Sequence, residues 1–431
     1  MKVSSRRWTQ RETQKLTIYS IAASLCFFLL MNYITRGATT VTILFTDIND
    51  NYMDFFNSLL DATYANPYIE RHVIYPPLCY VLYGFFGYMI PPDYYLFGSF
   101  YIRSTLEGMF SFGCYLFLSL FALCFFTNQY AKELQVNNHG LIGVLMLSAP
   151  VLFAVQRGNF IILTGACLIA FLCYKDDQSR VKQHFGFLML AIAANIKIYP
   201  AVFGLLLISE KRWRDCLFCI VYGITLFCLP MLFFGGLSNI PVLIGNIMGT
   251  TGKFSVRLGT RVDLDCLLSF LSMKGILSGL FNSLQGKTLI WGTGILLLCY
   301  VCMDEEWKKI LCLTLICTFM PGFSYMYNLV YMIPLLLVAI RQNNSFVILL
   351  VLLSFIYYPF DVSFMAWLHV ENAVLLPRLW DIIASLSGVT LIGFTLTNAA
   401  RALVMRIVSS KRIRFHTDEN KQIIFNSRIS T

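Results

Sequence analysis

The stretch TDINDNYMDFFNSLLDATYANPYIERHVIYPPL, residues 46–78, separates a first apolar run from a chain that is otherwise mostly apolar. It holds four aspartates within fifteen positions, namely Asp47, Asp50, Asp54 and Asp61. Only 13% of the 431 residues are charged, and 57% are hydrophobic. Because a charge at bilayer depth is costly, these carboxylates are expected to lie where water or a polar substrate reaches them. The stretch is therefore where we expect the chemistry of this chain.

Apolar runs of about 20 residues recur along the chain, and each is long enough to cross a bilayer as a helix. Backbone groups in lipid must pair within their own segment, so these runs predict an all-α polytopic membrane protein. Twelve crossings are predicted, at residues 16–36, 101–127, 139–156, 160–174, 184–196, 199–209, 214–235, 288–303, 310–323, 325–340, 345–360 and 380–400. Residues 78–98, which Pro91 and Pro92 interrupt, are interpreted as a membrane-surface or re-entrant piece.

Basic residues orient the predicted spans. Lys and Arg are enriched on the cytoplasmic side of membrane proteins, and here they concentrate in both termini and in alternate connections. Both termini are therefore predicted inside, and the aspartate-rich loop outside. The predicted organisation is a basic tail at 1–15, a single transmembrane domain at 16–400 with outer segments at 37–78 and 236–287, and a second basic tail at 401–431. The net charge of +10 reflects this orientation, and no basic-aromatic groove indicates a nucleic-acid partner.

Asp54 is the candidate general base. A carboxylate within hydrogen-bond reach can take the proton that an attacking hydroxyl loses. Asp54 precedes an aromatic pair, residues 55–56, that is expected to seat it against the membrane. Asp50 is a second candidate, although it also suits the opening of a short helix as a cap. Asp47, Asn49 and Asp50 resemble half of a metal site; without further ligands at fixed spacing, a divalent metal is possible and not favoured.

Breaks between spans supply candidates for binding a phosphate or another polar substrate. Lys197, shortly before Pro200, needs water or an anion, although snorkelling to the interface explains it equally well. Arg157 stands at a predicted turn, where it could hold a phosphate bidentately or act as an interfacial anchor. The other candidates are Asp50, Tyr75, Asn159, Arg257, Arg261 and Tyr327.

Several short motifs follow one another in a recognisable order. They are Asp54-Phe55-Phe56, Asn66-Pro67-Tyr68, Tyr75-Pro76-Pro77-Leu78, Gly158-Asn159, Lys197-Ile198-Tyr199-Pro200, Lys211-Arg212-Trp213-Arg214, and Pro321-Gly322-Phe323-Ser324 ahead of Pro334. Over residues 40–340 this order resembles the polyprenyl-phosphate-mannose-dependent mannosyltransferases of the mycobacterial phosphatidylinositol-mannoside and lipomannan pathways, in the GT-C class. That family often has a histidine in the segment matching Tyr325–Asn328, and this chain has none there.

The resemblance implies a GT-C-like fold in a bacterial cytoplasmic (inner) membrane, with an extracytoplasmic active site and no cofactor. It implies inverting transfer of a sugar, mannose in the family, from a polyprenyl-phosphate donor to a glycan or glycolipid acceptor, with membrane lipids as surroundings. It makes Asp54 the base, and Lys197 would stabilise the leaving phosphate. A multi-pass transporter or lipid flippase is the alternative, and it predicts charged pairs at mid-membrane in both halves. A glycan polymerase or ligase is a further alternative, with a larger outer loop.

Overall fold

The computed structural model describes residues 8–44, 48–136, 138–250, 261–273, 279, 287–322, 324–359 and 378–429. Within these ranges the chain is helical, and its extended pairing is limited to an isolated antiparallel bridge between Arg261 and Tyr325. Two predicted site residues, Asp47 and Arg257, lie outside the described residues.

The helices alternate between long apolar elements and short connecting pieces. The first half comprises α1 (Gln10–Ile34), α2 (Ala38–Ile43), α3 (Met53–Asp61), α4 (Pro67–Glu70), α5 (Pro77–Gly87), α6 (Ser99–Ser104), α7 (Leu106–Glu133), α8 (His139–Met146), α9 (Ala149–Arg157), α10 (Ile161–Tyr174) and α11 (Arg180–Ile196). The second half comprises α12 (Leu205–Ser209), α13 (Trp213–Met231), α14 (Ile240–Thr250), α15 (Leu264–Met273), α16 (Thr288–Cys302), α17 (Glu306–Phe319), α18 (Met332–Arg341), α19 (Ser345–Phe355) and α20 (Leu379–Ile429). Short 3-10 turns occupy Ile48–Asp50, Pro92–Phe97, Tyr199–Gly204, Leu237–Asn239 and Met326–Tyr331.

Four helices of the described chain are long and apolar enough to cross a membrane: α1, α7, α13 and the Leu379–Ser409 part of α20. The pair α8 and α9, bent by 42°, raises the number to five if it is one span. Pro150 stands in the first turn of α9 and lacks a backbone N–H, which explains the break. The chain is therefore an all-α, multi-pass membrane protein, and the predicted total of twelve crossings stays a prediction.

The predicted start of the second span is wrong. The span placed at 101–127 begins at Leu106, because Thr105 is extended and its side chain caps the Gly108 N–H. Residues 78–98 form most of α5 and a 3-10 turn. The 11 residues of α5, at about 1.5 Å each, are too short to cross a bilayer, which agrees with the interpretation of this segment as a membrane-surface or re-entrant piece. The helix α20 continues past residue 400 to Ile429, through the segment interpreted as a tail.

The central element is α10, which packs against both α7 and α11 and is buried along nearly its whole length. A helix that is apolar on all sides belongs in a core. Gly165 allows one close approach, since a Cβ there would lie 2.8 Å from Val330 Cγ1. The 14 residues of α10 span about 21 Å. This helix therefore separates Asn159 at one end from Lys175 at the other.

Segments predicted to be cytoplasmic gather at the Lys175 end. Lys175 pairs with Glu306 at 2.9 Å, and nearby Arg406 pairs with Asp304. Gln10 and Asn343 also tie the amino-terminal segment to the loops after α7 and α18. The predicted topology requires these segments to lie on one side of the membrane, and their contacts agree with that arrangement.

Candidate active site

Asp54 lies in the first turn of α3 and is held from two sides. Arg157 Nη2 donates to its Oδ1 at 2.5 Å, and Asn159 Nδ2 donates to its Oδ2 at 2.7 Å. Both donors come from the turn between α9 and α10. Between them, Gly158 has a φ of +69°, and a Cβ there would lie 2.9 Å from Phe55 Cβ. The turn can press this closely against α3 because its central residue has no side chain.

Asp50 does not cap α3, so the capping interpretation is wrong. The cap position belongs to Tyr52, which has a φ of +61° and makes no side-chain capping bond. Asp50 instead accepts a hydrogen bond from Arg157 Nη1. One guanidinium therefore bridges two carboxylates, of which Asp50 is 40% exposed and Asp54 17%.

The aromatic pair after Asp54 packs inside the protein and not against the membrane, contrary to the prediction. Phe55 and Phe56 are both fully buried. Phe55 stacks on Tyr115 with ring centroids 5.1 Å apart, and Phe112 contacts both phenylalanines. Tyr115 also donates from its hydroxyl to Asn159 O at 2.6 Å. This aromatic cluster thus fixes α3 and the Asn159 turn relative to each other.

Two residues that sequence reasoning missed hold the segment before Asp54. Arg103 Nη1 donates to the carbonyl oxygens of Asn49 and Asn51, at 2.9 and 3.0 Å. Gln156 Nε2 donates to Asn51 Oδ1 at 2.6 Å, and Gln156 O accepts from Tyr52 N at 2.8 Å. The sequence could have indicated Arg103 as a candidate, because a charged residue at the edge of an apolar run needs a polar partner.

Lys197 stands at the end of α11, where only 7% of it is exposed. Its Nζ lies 4.7 Å from the ring centre of Tyr327 and 5.5 Å from that of Tyr75. Within the described chain it makes no salt bridge. Burial lowers the pKa of Lys197 to about 8, although the Asp54 carboxylate favours its charged form. The structure thus brings Lys197, Tyr75 and Tyr327 into one cluster with Asp54.

Arg261 lies beside this cluster, and its guanidinium is already paired with a carboxylate. It is buried, pairs with Asp263 through two bonds at 2.7 and 2.8 Å, and donates to Gly322 O at 2.9 Å. Asp263 also accepts from the backbone of Ser324. These contacts, together with the backbone bridge between Arg261 and Tyr325, connect the segment near residue 261 to the Pro321–Ser324 motif.

Three carboxylates in the described chain lie close enough together to share a metal ion: Asp176, Glu210 and Glu306. They lie at the far end of α10 from Asp54. Lys175 Nζ contacts all three, at 3.1 Å from Glu210 and 2.9 Å from Glu306. A lysine therefore supplies the positive charge in this cluster.

Comparison with known proteins gives one match. The sequence model of glycosyltransferase family 87 matches residues 74–320, which include Tyr75, Arg157, Asn159 and Lys197. Asp50 and Asp54 precede the matched range. No curated protein and no solved structure matches the chain.

Proposed function

Because this chain belongs to glycosyltransferase family 87 and is a membrane glycosyltransferase, we propose that its donor is a polyprenyl-phosphate sugar. The sugar, mannose by resemblance, passes with inversion to a hydroxyl of an extracytoplasmic glycolipid or glycan. The observation that carries this proposal is the arrangement around Asp54. A carboxylate fixed by Arg157 and Asn159 shares a cluster with a buried lysine, Lys197.

Asp54 is proposed as the general base. Each carboxylate oxygen has two lone pairs, and each oxygen of Asp54 accepts one hydrogen bond from these two donors, so capacity remains for an acceptor hydroxyl. The hydroxyl oxygen forms a bond to the anomeric carbon while its proton passes to Asp54. The bond from that carbon to the phosphate oxygen breaks, and the polyprenyl phosphate leaves with the electron pair. Asn159 orients the carboxylate for this transfer.

Lys197 and Arg157 are proposed to receive the phosphate. Lys197 makes no salt bridge in the described chain, so its charge is available to a leaving phosphate, where a preorganised cation is most effective. Arg157 uses two of its five N–H donors on these carboxylates, so it can offer the remaining donors to a phosphate, and more of them if it releases one carboxylate. Asp50 is the more exposed of its two partners and costs less to release into water.

The test offers donors and acceptors to the purified protein. Radiolabelled polyprenyl-phosphate-mannose is incubated with a membrane lipid extract, in parallel with polyprenyl-phosphate-glucose and a nucleotide-linked mannose. Label is expected in an extracted lipid or glycan from the polyprenyl-phosphate donor alone, and Asp54→Asn should sharply reduce the rate of its incorporation. Label from the nucleotide sugar alone would refute the donor assignment. Movement of unmodified donor across vesicles, with no product, would favour the transporter.

A further inference from the structure

A cavity of about 410 Å³ opens at the end of α10 opposite Asp54. We propose that this cavity binds a phosphoethanolamine headgroup, with its ammonium at Glu133 and Tyr130 and its phosphate at Arg341. The cavity is about 21 Å from the catalytic cluster along α10, so this binding is separate from sugar transfer.

The position of the cavity suits a lipid headgroup. Glu133 is the last residue of α7, Glu306 is the first of α17, and Arg341 is the last of α18. All three line the cavity. The ends of apolar helices lie at the boundary between hydrocarbon and water, which is where phospholipid headgroups are found.

The charged groups of the cavity indicate a zwitterion. Glu133 and Arg341 both line it, and neither makes a salt bridge with any described residue; Glu133 accepts one hydrogen bond, from the Cys173 thiol, and keeps further acceptor capacity. The other three carboxylates of the cavity are already paired, Asp176 and Glu306 with Lys175, and Glu305 with Lys308. An acid and a base that face one cavity without pairing can bind opposite ends of the same ligand, a cationic and an anionic group.

Tyr130 adds an independent observation. Its side chain is only 4% exposed, and it lines the cavity. No described residue forms a hydrogen bond with its hydroxyl, which opens to the cavity and can therefore bond to a ligand there. A primary ammonium has three donors and can satisfy Glu133 and this hydroxyl together. A trimethylated ammonium has no donor, so the cavity should prefer ethanolamine to choline.

Apolar side chains complete the site. Leu134, Leu172 and Val338 line the same cavity, next to the polar groups. They can cover the glycerol and the first methylene groups of a lipid, which a soluble headgroup lacks. A lipid should therefore bind more tightly than free phosphoethanolamine, because it buries additional apolar surface.

The test measures lipid retention by the purified full chain in detergent, using native mass spectrometry. Phosphatidylethanolamine, phosphatidylcholine and phosphatidylglycerol are titrated in parallel, and soluble phosphoethanolamine is added as a competitor. We expect retention of phosphatidylethanolamine, weakened on the order of tenfold by Glu133→Gln and by Tyr130→Phe. Asp177→Asn, an acidic residue at the same end that pairs with Lys182 and does not line the cavity, is the control and should change nothing.

Each possible result of this experiment either supports or overturns the proposed headgroup site. Displacement by soluble phosphoethanolamine at low concentration would support the headgroup site and assign it to a free metabolite instead of a lipid. Equal retention of all three lipids, or retention insensitive to both variants, would overturn the proposal. Sugar transfer is not measured, so this result is independent of the proposed donor.

Discussion

At the scale of single residues, Asp50 and Asp54 share one guanidinium but differ in what they can do. Asp54→Asn keeps the size of the side chain and removes its basicity, so turnover should fall on the order of 10²–10⁴-fold with donor binding retained. Asp50→Asn should keep turnover and leave Arg157 freer for the donor phosphate. Steady-state kinetics of both variants measure the difference. Asp61→Asn, which breaks only the Arg71 pair at the far end of α3, is the control. Silent Asp54→Asn with inactive Asp50→Asn would transfer the role of base to Asp50.

The lowered pKa of Lys197 predicts a pH dependence. Because that pKa is about 8, the free enzyme loses the ammonium charge as pH rises through about 8, well below the ordinary range of a lysine. The kcat/KM for the lipid-phosphate donor should fall from its plateau near neutral pH as the pH rises above about 8, whereas protonation of the base Asp54 lowers it on the acid side. Lys197→Arg should move the descending limb to higher pH, and Lys197→Met should lower the plateau and remove the limb. A wild-type profile that is flat to pH 10 would show that the charge on Lys197 does not act on the donor.

At the scale of structural elements, the segment from Ile48 to Asp54 is shaped by contacts from other helices. Arg103 holds two of its carbonyl oxygens. Arg103→Met should therefore lower kcat about tenfold or more by misplacing the carboxylates, while the protein still folds. Hydrogen exchange of residues 48–54 should accelerate in this variant. Arg71→Met, which removes a partly exposed pair with Asp61, is the matched control. Unchanged exchange in Arg103→Met would mean that Arg103 has no positioning role.

The close packing of the turn between α9 and α10 predicts that a side chain at Gly158 lowers the free energy of unfolding. Gly158→Ala would place a Cβ 2.9 Å from Phe55 Cβ and 3.1 Å from Tyr52 O, at a φ of +69° that alanine rarely adopts. We expect a loss of more than about 1 kcal/mol and a displaced Asn159. Gly113→Ala, on α7 with nothing within 4 Å of the new atom, should be neutral or slightly stabilising. Thermal unfolding in detergent compares the two, and equal Tm values would contradict the predicted strain.

At the scale of the whole molecule, the twelve-span topology remains to be measured. Residues 47–75 are predicted outside and 210–214 inside. Among the described residues, Asp54 contacts Asn159 at one end of α10, and Arg212 contacts Lys175 at the other. In a background lacking the native cysteines, a cysteine at position 72 should react with an impermeant maleimide in intact cells. A cysteine at position 214 should react only after lysis. Labelling of position 214 from outside would contradict this topology, because the number of crossings between the amino terminus and residue 214 would then be odd and not even.

The sequence by itself determined the membrane character, the helical class and the polar loop after the first span. These follow from hydropathy and backbone hydrogen bonding, which are properties of each segment and its solvent. It also determined the order of motifs that carries the resemblance, and that resemblance directed attention to Asp54, Asn159 and Lys197.

The tertiary structure alone decided how these residues are paired. Asp54 meets Arg157 and Asn159 across more than 100 residues of chain, Asp50 joins the same guanidinium, and Arg103 reaches back to the segment before them. Local pattern assigned Asp50 to a cap and residues 55–56 to the membrane surface, and both assignments were wrong. The reason is physical: which carboxylate faces which cation depends on how α3, α9 and α10 pack, and packing across such distances leaves no periodic signal in the chain.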